Sequence, residues 1–214
     1  MKKGIFVTIE GCEGTGKTTQ AKLLADYLTT QGYQVLVTRE PGGTVIGEKI
    51  RKILLDRNHR ELAPRVELLL YLASRSQLVS QVIKPVLEEG KIVISDRFHH
   101  SSLAYQGGAR ALNMLLVQQI NEFATEGVLP DITFLLDLPP EIGMERKGSY
   151  DEDRMEGQGI EFHQKVRLAF LSLASQEPER IVVLDADQPV EQISTSINKH
   201  MKALLDKHSP ERSR

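Results

Sequence analysis

The chain has 214 residues, of which 40% are hydrophobic and 26% charged, so it is long enough to form one domain with a full hydrophobic core. Twenty-seven basic and twenty-nine acidic residues leave a formal charge of −2, and no basic block would follow a nucleic-acid backbone. No apolar run is long enough to cross a membrane and no secretion signal precedes the first strand, so we expect a cytoplasmic protein with no nucleic-acid or membrane partner.

The first apolar run, residues 5–9, is β-prone and leads into the octapeptide Gly-Cys-Glu-Gly-Thr-Gly-Lys-Thr at residues 11–18. The next residues, 17–31, carry small and apolar side chains at helical spacing, so the octapeptide lies between a strand and a helix. This is the context of a phosphate-binding loop, whose glycines let backbone N–H groups point at phosphate oxygens near the positive end of a helix. The sequence therefore predicts a nucleoside triphosphate site.

Two side chains of this loop have a predicted chemical role. Lys17 supplies positive charge to the β- and γ-phosphates, and Thr18 offers a hydroxyl to the Mg²⁺ that accompanies the nucleotide. The single cysteine, Cys12, cannot form an internal disulfide, and we assign it no chemistry, although a reactive thiol is the alternative. The residues expected to bind ATP are Gly11, Cys12, Glu13, Gly14, Thr15, Gly16, Lys17 and Thr18.

Strands and helices alternate along the rest of the chain. Strands are predicted at residues 34–38, 91–95, 132–136 and 181–184, and helices at residues 45–55, 64–89, 111–125, 161–175 and 190–205. Pro85 is expected to kink or divide the second of these helices. Short apolar strands indicate a parallel sheet covered on both faces. We expect a single α/β domain over residues 1–214 with the P-loop NTPase fold: a five-stranded parallel sheet flanked by helices, with a frayed tail at residues 208–214.

Candidate functional residues follow the strands, because parallel strands bring their carboxyl ends to one cleft. Asp96 and Arg97 follow the third strand; a carboxylate suits Mg²⁺ and a guanidinium grips a phosphate, although a plain ion pair is the alternative. Arg39 and Glu40 begin a Pro-Gly-Gly turn after the second strand, which either shapes a loop against a ligand or is a turn only.

The predicted long helix and the segment after the fourth strand supply further candidates. Tyr71 and Arg75 share one helical face and can hold a planar ring, although a core tyrosine and a surface arginine have the same spacing. Residues 144–159 are polar and glycine-punctuated, which predicts a short mobile lid that excludes water and carries Arg146 and Arg154 towards a transferring phosphate. Its acidic residues are interpreted as solvated rather than as a cation site: Asp151, Glu152 and Asp153.

Five motifs together resemble the thymidylate kinase family across essentially the whole chain. They are Gly-Cys-Glu-Gly-Thr-Gly-Lys-Thr-Thr at 11–19, Thr-Arg-Glu-Pro-Gly-Gly-Thr at 38–44, Tyr-Leu-Ala-Ser-Arg at 71–75, Ser-Asp-Arg-Phe at 95–98 and Ser-Ser-Leu-Ala-Tyr-Gln-Gly at 101–107. The first motif alone is typical of any P-loop protein, and the others separate this family from adenylate, guanylate and cytidylate kinases. The resemblance implies a homodimer that uses Mg²⁺ and transfers the γ-phosphate of ATP to dTMP, giving dTDP on the way to dTTP.

The resemblance also implies roles for single residues. Tyr71 would stack on thymine, Arg75 would hydrogen-bond its carbonyl, and Arg97 would hold the dTMP phosphate. Tyr105 would pack where a 2′-hydroxyl would otherwise lie, and Glu13 would bind the 3′-hydroxyl. The expected dTMP-binding residues are Glu13, Glu40, Tyr71, Arg75, Arg97, Ser102, Tyr105 and Gln106. The expected metal ligands are Thr18, Asp96 and Glu161, of which Glu161 would alternatively hold the 3′-hydroxyl.

Family members differ in where the catalytic arginine lies. This phosphate loop contains no arginine, which resembles the bacterial subgroup whose arginine is in the lid. The expected catalytic residues are Lys17, Arg97, Arg146 and Arg154. Which of the two lid arginines reaches the γ-phosphate is left open, since Arg146 would alternatively stack on adenine beside residues 186–189. No general base is expected, because the acceptor phosphate is largely ionised near pH 7.

Two other functional classes predict different behaviour. A deoxynucleoside kinase would phosphorylate thymidine itself and turn over little dTMP. A non-catalytic P-loop binding module would bind nucleotide without transferring phosphate, and it would not require Arg97 or the lid arginines.

Overall fold

The structure is a computed structural model, and it describes residues 4–148 and 153–208. Its centre is a five-stranded sheet in which every pair of neighbouring strands is parallel, in the order β2-β3-β1-β4-β5. The strands are β1 (Ile5–Gly11), β2 (Val35–Arg39), β3 (Ile92–Asp96), β4 (Ile132–Asp137) and β5 (Ile181–Asp185). The predicted five-stranded parallel sheet of an α/β fold is confirmed.

The strand register brings several polar side chains to one edge of the sheet. Asp96 at the end of β3 lies level with Ile9 of β1 and Arg39 of β2. On the other side of β1, Gly11 lies level with Leu136, while Asp137 lies level with Asp185. The carboxyl ends of the strands therefore form the floor of the expected cleft.

Helices connect the strands and cover the sheet. They are α1 (Lys17–Thr30), α2 (Val45–Leu55), α3 (Pro64–Leu78), α4 (Lys84–Glu88), α5 (His99–Ser102), α6 (Met114–Thr125), α7 (Pro140–Lys147), α8 (Ile160–Gln176) and α9 (Val190–His208). Two π-helical segments, Val79–Ile83 and Leu103–Ala109, continue α3 and α5. Among the described residues, no helix is long and apolar enough to span a membrane.

The core consists of apolar clusters against the sheet. The largest cluster packs α1 and α9 against the strands through residues such as Leu24, Leu28, Ile197 and Met201. A second cluster joins α3, α6 and α8, and a third surrounds Phe6 and the first π segment. Each fully buried aliphatic side chain stabilises the fold by about 1.5–3 kcal/mol relative to exposure. The cleft is thus built on a rigid, well-packed support.

The helix predicted over residues 64–89 is divided, as expected from Pro85, but the irregular turn precedes the proline. The N–H of Lys84 donates to the carbonyl of Val79, five residues back. Proline has no N–H and its ring crowds the carbonyl four residues before it, so a wider turn upstream relieves that crowding. The division therefore falls at Val79–Ile83.

Other boundaries differ from the sequence-based expectations. The helix expected from residue 111 begins at Met114, because Asn113 caps it by accepting a hydrogen bond from the N–H of Leu116 at 3.0 Å. Two helical stretches, residues 99–109 and α7, were not predicted. The expected lid, residues 144–159, includes the end of α7 and a turn at residues 154–157, while residues 149–152 lie outside the described chain, with Asp151 and Glu152. Of the tail expected to be frayed, residues 209–214 are likewise outside, and α9 reaches His208.

Candidate active site

The phosphate loop has the backbone geometry that its glycines predict. Gly11, Gly14 and Gly16 have φ values of 145°, 70° and 85°, which side-chain-bearing residues rarely adopt. Gly16 caps α1, so the first N–H groups of that helix open towards the loop. Lys17 Nζ donates to the carbonyl of Cys12 at 2.6 Å and crosses the mouth of the loop. The loop is therefore arranged for an anion.

A cavity of about 590 Å³ opens beside this loop, between the carboxyl ends of the strands and α3. Its size suits a small-molecule ligand. Most of the predicted site residues line it: Glu13, Gly14, Gly16, Lys17, Thr18, Glu40, Tyr71, Asp96, Arg97, Ser102, Tyr105, Gln106 and Arg146. Residues distant in sequence are thus brought to one cavity, as predicted.

Arg97 is held between the phosphate loop and an aromatic ring. Its backbone has φ of 71°, its Nη1 donates to the carbonyl of Gly11 at 3.0 Å, and its Nη2 pairs with Glu13 at 2.5 Å. The guanidinium lies over the ring of Tyr105, 5.1 Å from its centroid, while the Tyr105 hydroxyl donates to Glu13 at 3.1 Å. Burial raises the pKa of Glu13, but Arg97 and Lys17 outweigh it and lower that pKa to about 2.

A carboxylate that sequence reasoning missed fixes the turn around Arg97. Glu10, near the end of β1, is fully buried and accepts hydrogen bonds from the N–H groups of Phe98 and Ser101 and from the Ser101 hydroxyl. An acidic residue inside an apolar strand directly before a phosphate loop was the signal available in the sequence. Because its carboxylate holds residues 98–101, it sets the strained backbone of Arg97.

Two of the expected metal ligands lie together and the third does not. The Thr18 hydroxyl donates to Asp96 Oδ2 at 2.5 Å, and both residues line the cavity. Glu161 is exposed in the first turn of α8, which begins at Ile160, and it does not line the cavity. The structure therefore does not bring Glu161 to the other two expected ligands, and its role at the metal stays a prediction. Among the described residues there is no cluster of three metal-ligating side chains.

The two site residues predicted on α3, Tyr71 and Arg75, have different surroundings. Tyr71 lines the cavity, whereas Arg75 is 1% exposed and does not. Arg75 donates from Nε to Glu40 at 2.7 Å, from Nη1 to Ser102 at 2.8 Å and Asn121 at 2.6 Å, and from Nη2 to the carbonyl of Phe98 at 2.9 Å. Its protein neighbours use these donors in this structure, and Arg75 thereby supports Glu40 and Ser102. Its hydrogen bond to the base stays a prediction.

The loop after β2 brings Glu40 to the wall of the cavity. Glu40 is buried, its Oε2 pairs with Arg75, and its Oε1 has no hydrogen-bond partner among the described residues. Burial raises the pKa of Glu40 to about 7, although Arg75 opposes the shift. Arg51 of α2, which sequence reasoning missed, lines the same cavity and donates to the carbonyl of Pro41 at 2.9 Å.

The two predicted lid arginines have different surroundings. Arg146, near the end of α7, donates to the carbonyl of Ala186 at 2.7 Å and to Asp187 at 2.6 Å. Arg154 is buried: its Nε donates to the carbonyl of Leu54 at 2.7 Å and its Nη1 pairs with Glu67 at 2.7 Å. Arg154 does not line the cavity, contrary to expectation, because a buried carboxylate and a helix-end carbonyl hold it.

Helix α7, which sequence reasoning missed, lies directly on the phosphate loop. A side chain at Gly14 would overlap the carbonyl of Gly143, and one at Gly143 would overlap the carbonyl of Glu13. Two glycines thus allow the backbones to touch, and this contact fixes the helix that carries Arg146. Pro140 at the start of α7 was the signal available in the sequence.

Cys12 does not behave as a reactive thiol in this structure. It is 3% exposed, and burial raises the pKa of its thiol to about 11. A thiol that stays protonated near neutral pH is a poor nucleophile. The alternative of a reactive cysteine in the phosphate loop is therefore disfavoured.

Comparisons with known proteins agree on one family. A family model described as thymidylate kinase matches residues 9–197. The chain is 48% identical over 203 residues to a thymidylate kinase from Thermoanaerobacter sp. (strain X514), covering 95% of this chain and 100% of that relative. It is 48% identical over 209 residues to one from Lactobacillus acidophilus, covering 96% and 97%. The crystal structure of thymidylate kinase from Ehrlichia chaffeensis has a TM-score of 0.76 and 34% identity, covering 94% of this chain and 99% of that one.

Proposed function

Since the chain belongs to the thymidylate kinase family and phosphorylates dTMP, we propose that ATP with Mg²⁺ is the donor and that both nucleotides meet in the 590 Å³ cavity. The observation that carries this proposal is the position of Arg97. It contacts the phosphate loop through Gly11 and Glu13 and lies over Tyr105 on the other side, so it stands between a donor half and an acceptor half.

We propose that dTMP occupies the half of the cavity lined by α3 and the second π segment. Tyr71 would stack on the thymine ring, and Gln106 and Ser102 would lie beside its polar edge. Tyr105 would pack against the deoxyribose and Glu13 would accept from its 3′-hydroxyl. Arg97 would then hold the dTMP phosphate in two hydrogen bonds.

The donor would lie across the phosphate loop and reach a second cavity. That cavity, of about 430 Å³, is lined by the loop, by Arg146 and by residues 186–190. It supports a place for adenine against the Arg146 guanidinium, whose orientation the carbonyl of Ala186 and Asp187 fix. The triphosphate would then extend along the backbone N–H groups of residues 11–18, with Lys17 at its β- and γ-phosphates.

The paired oxygens of Thr18 and Asp96 fit a magnesium site of this kind. Mg²⁺ in kinase sites is bound chiefly by phosphate oxygens and water, with one or two protein oxygens, and needs no dedicated cluster of carboxylates. When bound, it neutralises charge on the β- and γ-phosphates. Thr18 and Asp96 would hold it, directly or through water.

Catalysis in this arrangement consists of positioning and charge neutralisation. The attacking oxygen belongs to a phosphate that is already ionised near neutral pH, so no side chain has to remove a proton. Lys17 would hold the γ-phosphate of ATP and Arg97 the phosphate of dTMP, so that the two phosphates lie in line. A cation near the charge that develops in the transition state accelerates the reaction most when water is excluded. Arg154 would add a third cation only after it leaves Glu67 and the carbonyl of Leu54.

We also propose that the protein works in the cytoplasm as a homodimer. Its single cysteine is buried and reduced, which suits that compartment. Helices α2, α3 and α6 pack side by side and expose apolar side chains: Ile53, Val66, Leu69, Leu115, Leu116 and Phe123. A patch of this kind is typical of a protein interface.

A nucleotide panel tests the proposed function. ADP release from ATP is measured in a coupled assay with dTMP, dUMP, AMP or thymidine as acceptor, with and without Mg²⁺. We expect rapid release with dTMP that depends on Mg²⁺, and little with AMP or thymidine. Release with thymidine but not dTMP would indicate a deoxynucleoside kinase, and no acceptor-dependent release would indicate a binding module.

A further inference from the structure

The side-chain amide of Gln106 lies between the acceptor cavity and a buried carboxylate. Gln106 lines the cavity, and its Nε2 donates to Glu67 Oε1 at 2.9 Å. Glu67 belongs to the first turn of α3, one turn before Tyr71, and is fully buried. None of the described residues donates a hydrogen bond to Gln106 Oε1. The amide therefore has one end fixed by the protein and its carbonyl left for a ligand.

Two arginines pair with Glu67, so its side-chain partners among the described residues are all donors. Arg110 donates from Nε at 3.3 Å and from Nη2 at 3.2 Å to the two Glu67 oxygens, and Arg154 Nη1 pairs with Oε2 at 2.7 Å. A buried carboxylate needs such partners. An ionised carboxylate has no hydrogen to donate, so only the amide nitrogen of Gln106, and not its oxygen, can face Glu67.

The orientation of Gln106 decides which pyrimidine edge it complements. With Nε2 held by Glu67, the amide offers its carbonyl acceptor to the cavity, with the second N–H beside it. Thymine and uracil carry an N3–H donor next to a carbonyl acceptor. The N3–H can therefore donate to the Gln106 carbonyl while the base carbonyl accepts from the amide N–H. Cytosine carries an acceptor at N3 next to an amino group, which is the reverse order. A flipped amide would fit cytosine instead, and Glu67 prevents that flip.

We propose that Glu67 is a specificity-determining positioning residue, which selects a pyrimidine with an N3 hydrogen over cytosine by fixing the orientation of the Gln106 amide. The inference rests on the proposed placement of the acceptor base beside Gln106. Glu67 itself does not line the cavity and acts only through Gln106.

Calorimetric binding of dTMP and dCMP, without ATP, tests this inference. The proteins compared are the wild type, Glu67→Gln and a matched control, Glu177→Gln, which removes a carboxylate paired with Arg180 away from the cavity. A glutamine at 67 can donate as well as accept, so it no longer fixes Gln106. We expect Glu67→Gln to lower the ratio of dTMP to dCMP affinity at least about tenfold, through weaker dTMP binding, and the control to keep the wild-type ratio.

Equal weakening of both nucleotides by Glu67→Gln would overturn the inference, because it would show a structural role only, and so would an unchanged ratio. If Glu67→Gln does not fold, the variant Gln106→Met tests the inference instead, since it leaves the Glu67 ion pairs in place. We expect it to abolish most of the dTMP preference, and a preserved preference would overturn the inference. If the ratio of dTMP to dCMP affinity falls in Gln106→Met but not in Glu67→Gln, only the role of Glu67 is rejected. If the wild-type protein does not prefer dTMP, the proposed base site itself is rejected.

Discussion

Among single residues, Arg97 contacts both the phosphate loop and Tyr105, and we propose that it lies between the two nucleotides. Its guanidinium is held by the carbonyl of Gly11, by Glu13 and by the ring of Tyr105. Removing it takes away the proposed ligand of the acceptor phosphate while the phosphate loop keeps Lys17. We expect Arg97→Ala to raise the KM for dTMP and lower kcat at least about tenfold, with ATP affinity changed by less than about threefold.

Steady-state kinetics and ATP binding check this prediction. Arg180→Ala is the control, because Arg180 pairs with Glu177 away from the cavity. Undisturbed turnover of dTMP by Arg97→Ala would show that the acceptor phosphate is bound elsewhere.

Glu13 links the charge of the site to the stability of the fold. Its folded-state pKa of about 2 lies below the ordinary value of 4.5, so its ionised form stabilises the native state. That contribution is fully present above about pH 4.5 and is lost as the pH falls towards 2. We expect wild type to exceed Glu13→Gln in free energy of unfolding by up to about 3 kcal/mol at pH 6, with the difference shrinking below pH 4.5.

Urea unfolding of the two proteins at a series of pH values between 6 and 3 measures this difference. A gap that stays constant over the whole range would contradict the ionic role of Glu13, because it would not depend on protonation.

The sequence predicts which site residues lie near each other on one helix, but it does not predict their tertiary partners. Helical spacing predicted that Tyr71 and Arg75 lie one turn apart on a helix, and both belong to α3. Spacing does not reveal that Glu40 and Asn121, distant in sequence, use the donors of Arg75. In the same way, helical spacing does not reveal that Glu161, in the first turn of α8, is exposed.

Among the secondary-structure elements, α7 lies directly on the phosphate loop and carries Arg146, beside which adenine is proposed to bind. A methyl group at Gly143 would overlap the carbonyl of Glu13 and push the helix away from the loop. We expect Gly143→Ala to raise the KM for ATP at least about tenfold and to lower the free energy of unfolding by about 1–3 kcal/mol. Gly159→Ala is the matched control, because the position before α8 has open space around it. ATP kinetics and urea unfolding check both variants, and wild-type values for Gly143→Ala would refute the contact.

The two lid arginines are expected to affect different kinetic parameters. Arg146 is anchored beside the 430 Å³ cavity, so Arg146→Ala should chiefly raise the KM for ATP. Arg154 is held by Glu67 and must move to act, so Arg154→Ala should lower kcat at least about tenfold with little effect on KM. Saturation kinetics for both substrates separate the two effects. If both variants have normal rates, the catalytic cation does not come from this segment.

Some strands and helices could be predicted from the sequence and others could not, for physical reasons. The strands and the amphipathic helices follow from periodicity, whereas residues 99–109 combine histidines, serines and two glycines, which are poor helix formers. Tertiary contacts hold that stretch in helical form, including the hydrogen bonds of Ser101 with Glu10 and of Ser102 with Arg75. The π turn that results places Gln106 at the cavity.

At the scale of the whole molecule, the alternation of strands and helices was sufficient to predict the parallel sheet and the cleft at its carboxyl edge. The strand order was not predicted, because it depends on which crossovers pass over which neighbours. The order β2-β3-β1-β4-β5 places the phosphate loop of β1 between β3 and β4. Asp96 and Arg97 are therefore adjacent to the loop.

The exposed apolar side chains of α2, α3 and α6 lead us to predict a dimer. Phe123 is 85% exposed on α6, and Leu69 is 60% exposed on the neighbouring α3. We expect sedimentation velocity to give a dimer for the wild type and a shift to monomer for Leu69→Glu and Phe123→Glu. Leu168→Glu is the control, because Leu168 is similarly exposed but lies on α8. A wild-type monomer at micromolar concentration would refute the proposed assembly.

The proposed function requires that one cavity binds ATP together with a nucleotide that already carries a phosphate. Its most direct test is a competition in which the protein receives ATP labelled in the γ-phosphate, Mg²⁺ and equal amounts of dTMP and thymidine. We expect the label to appear in dTDP. Label in dTMP instead, with dTDP unlabelled, would contradict it, because the acceptor would then be the nucleoside and Arg97 would have no phosphate to hold.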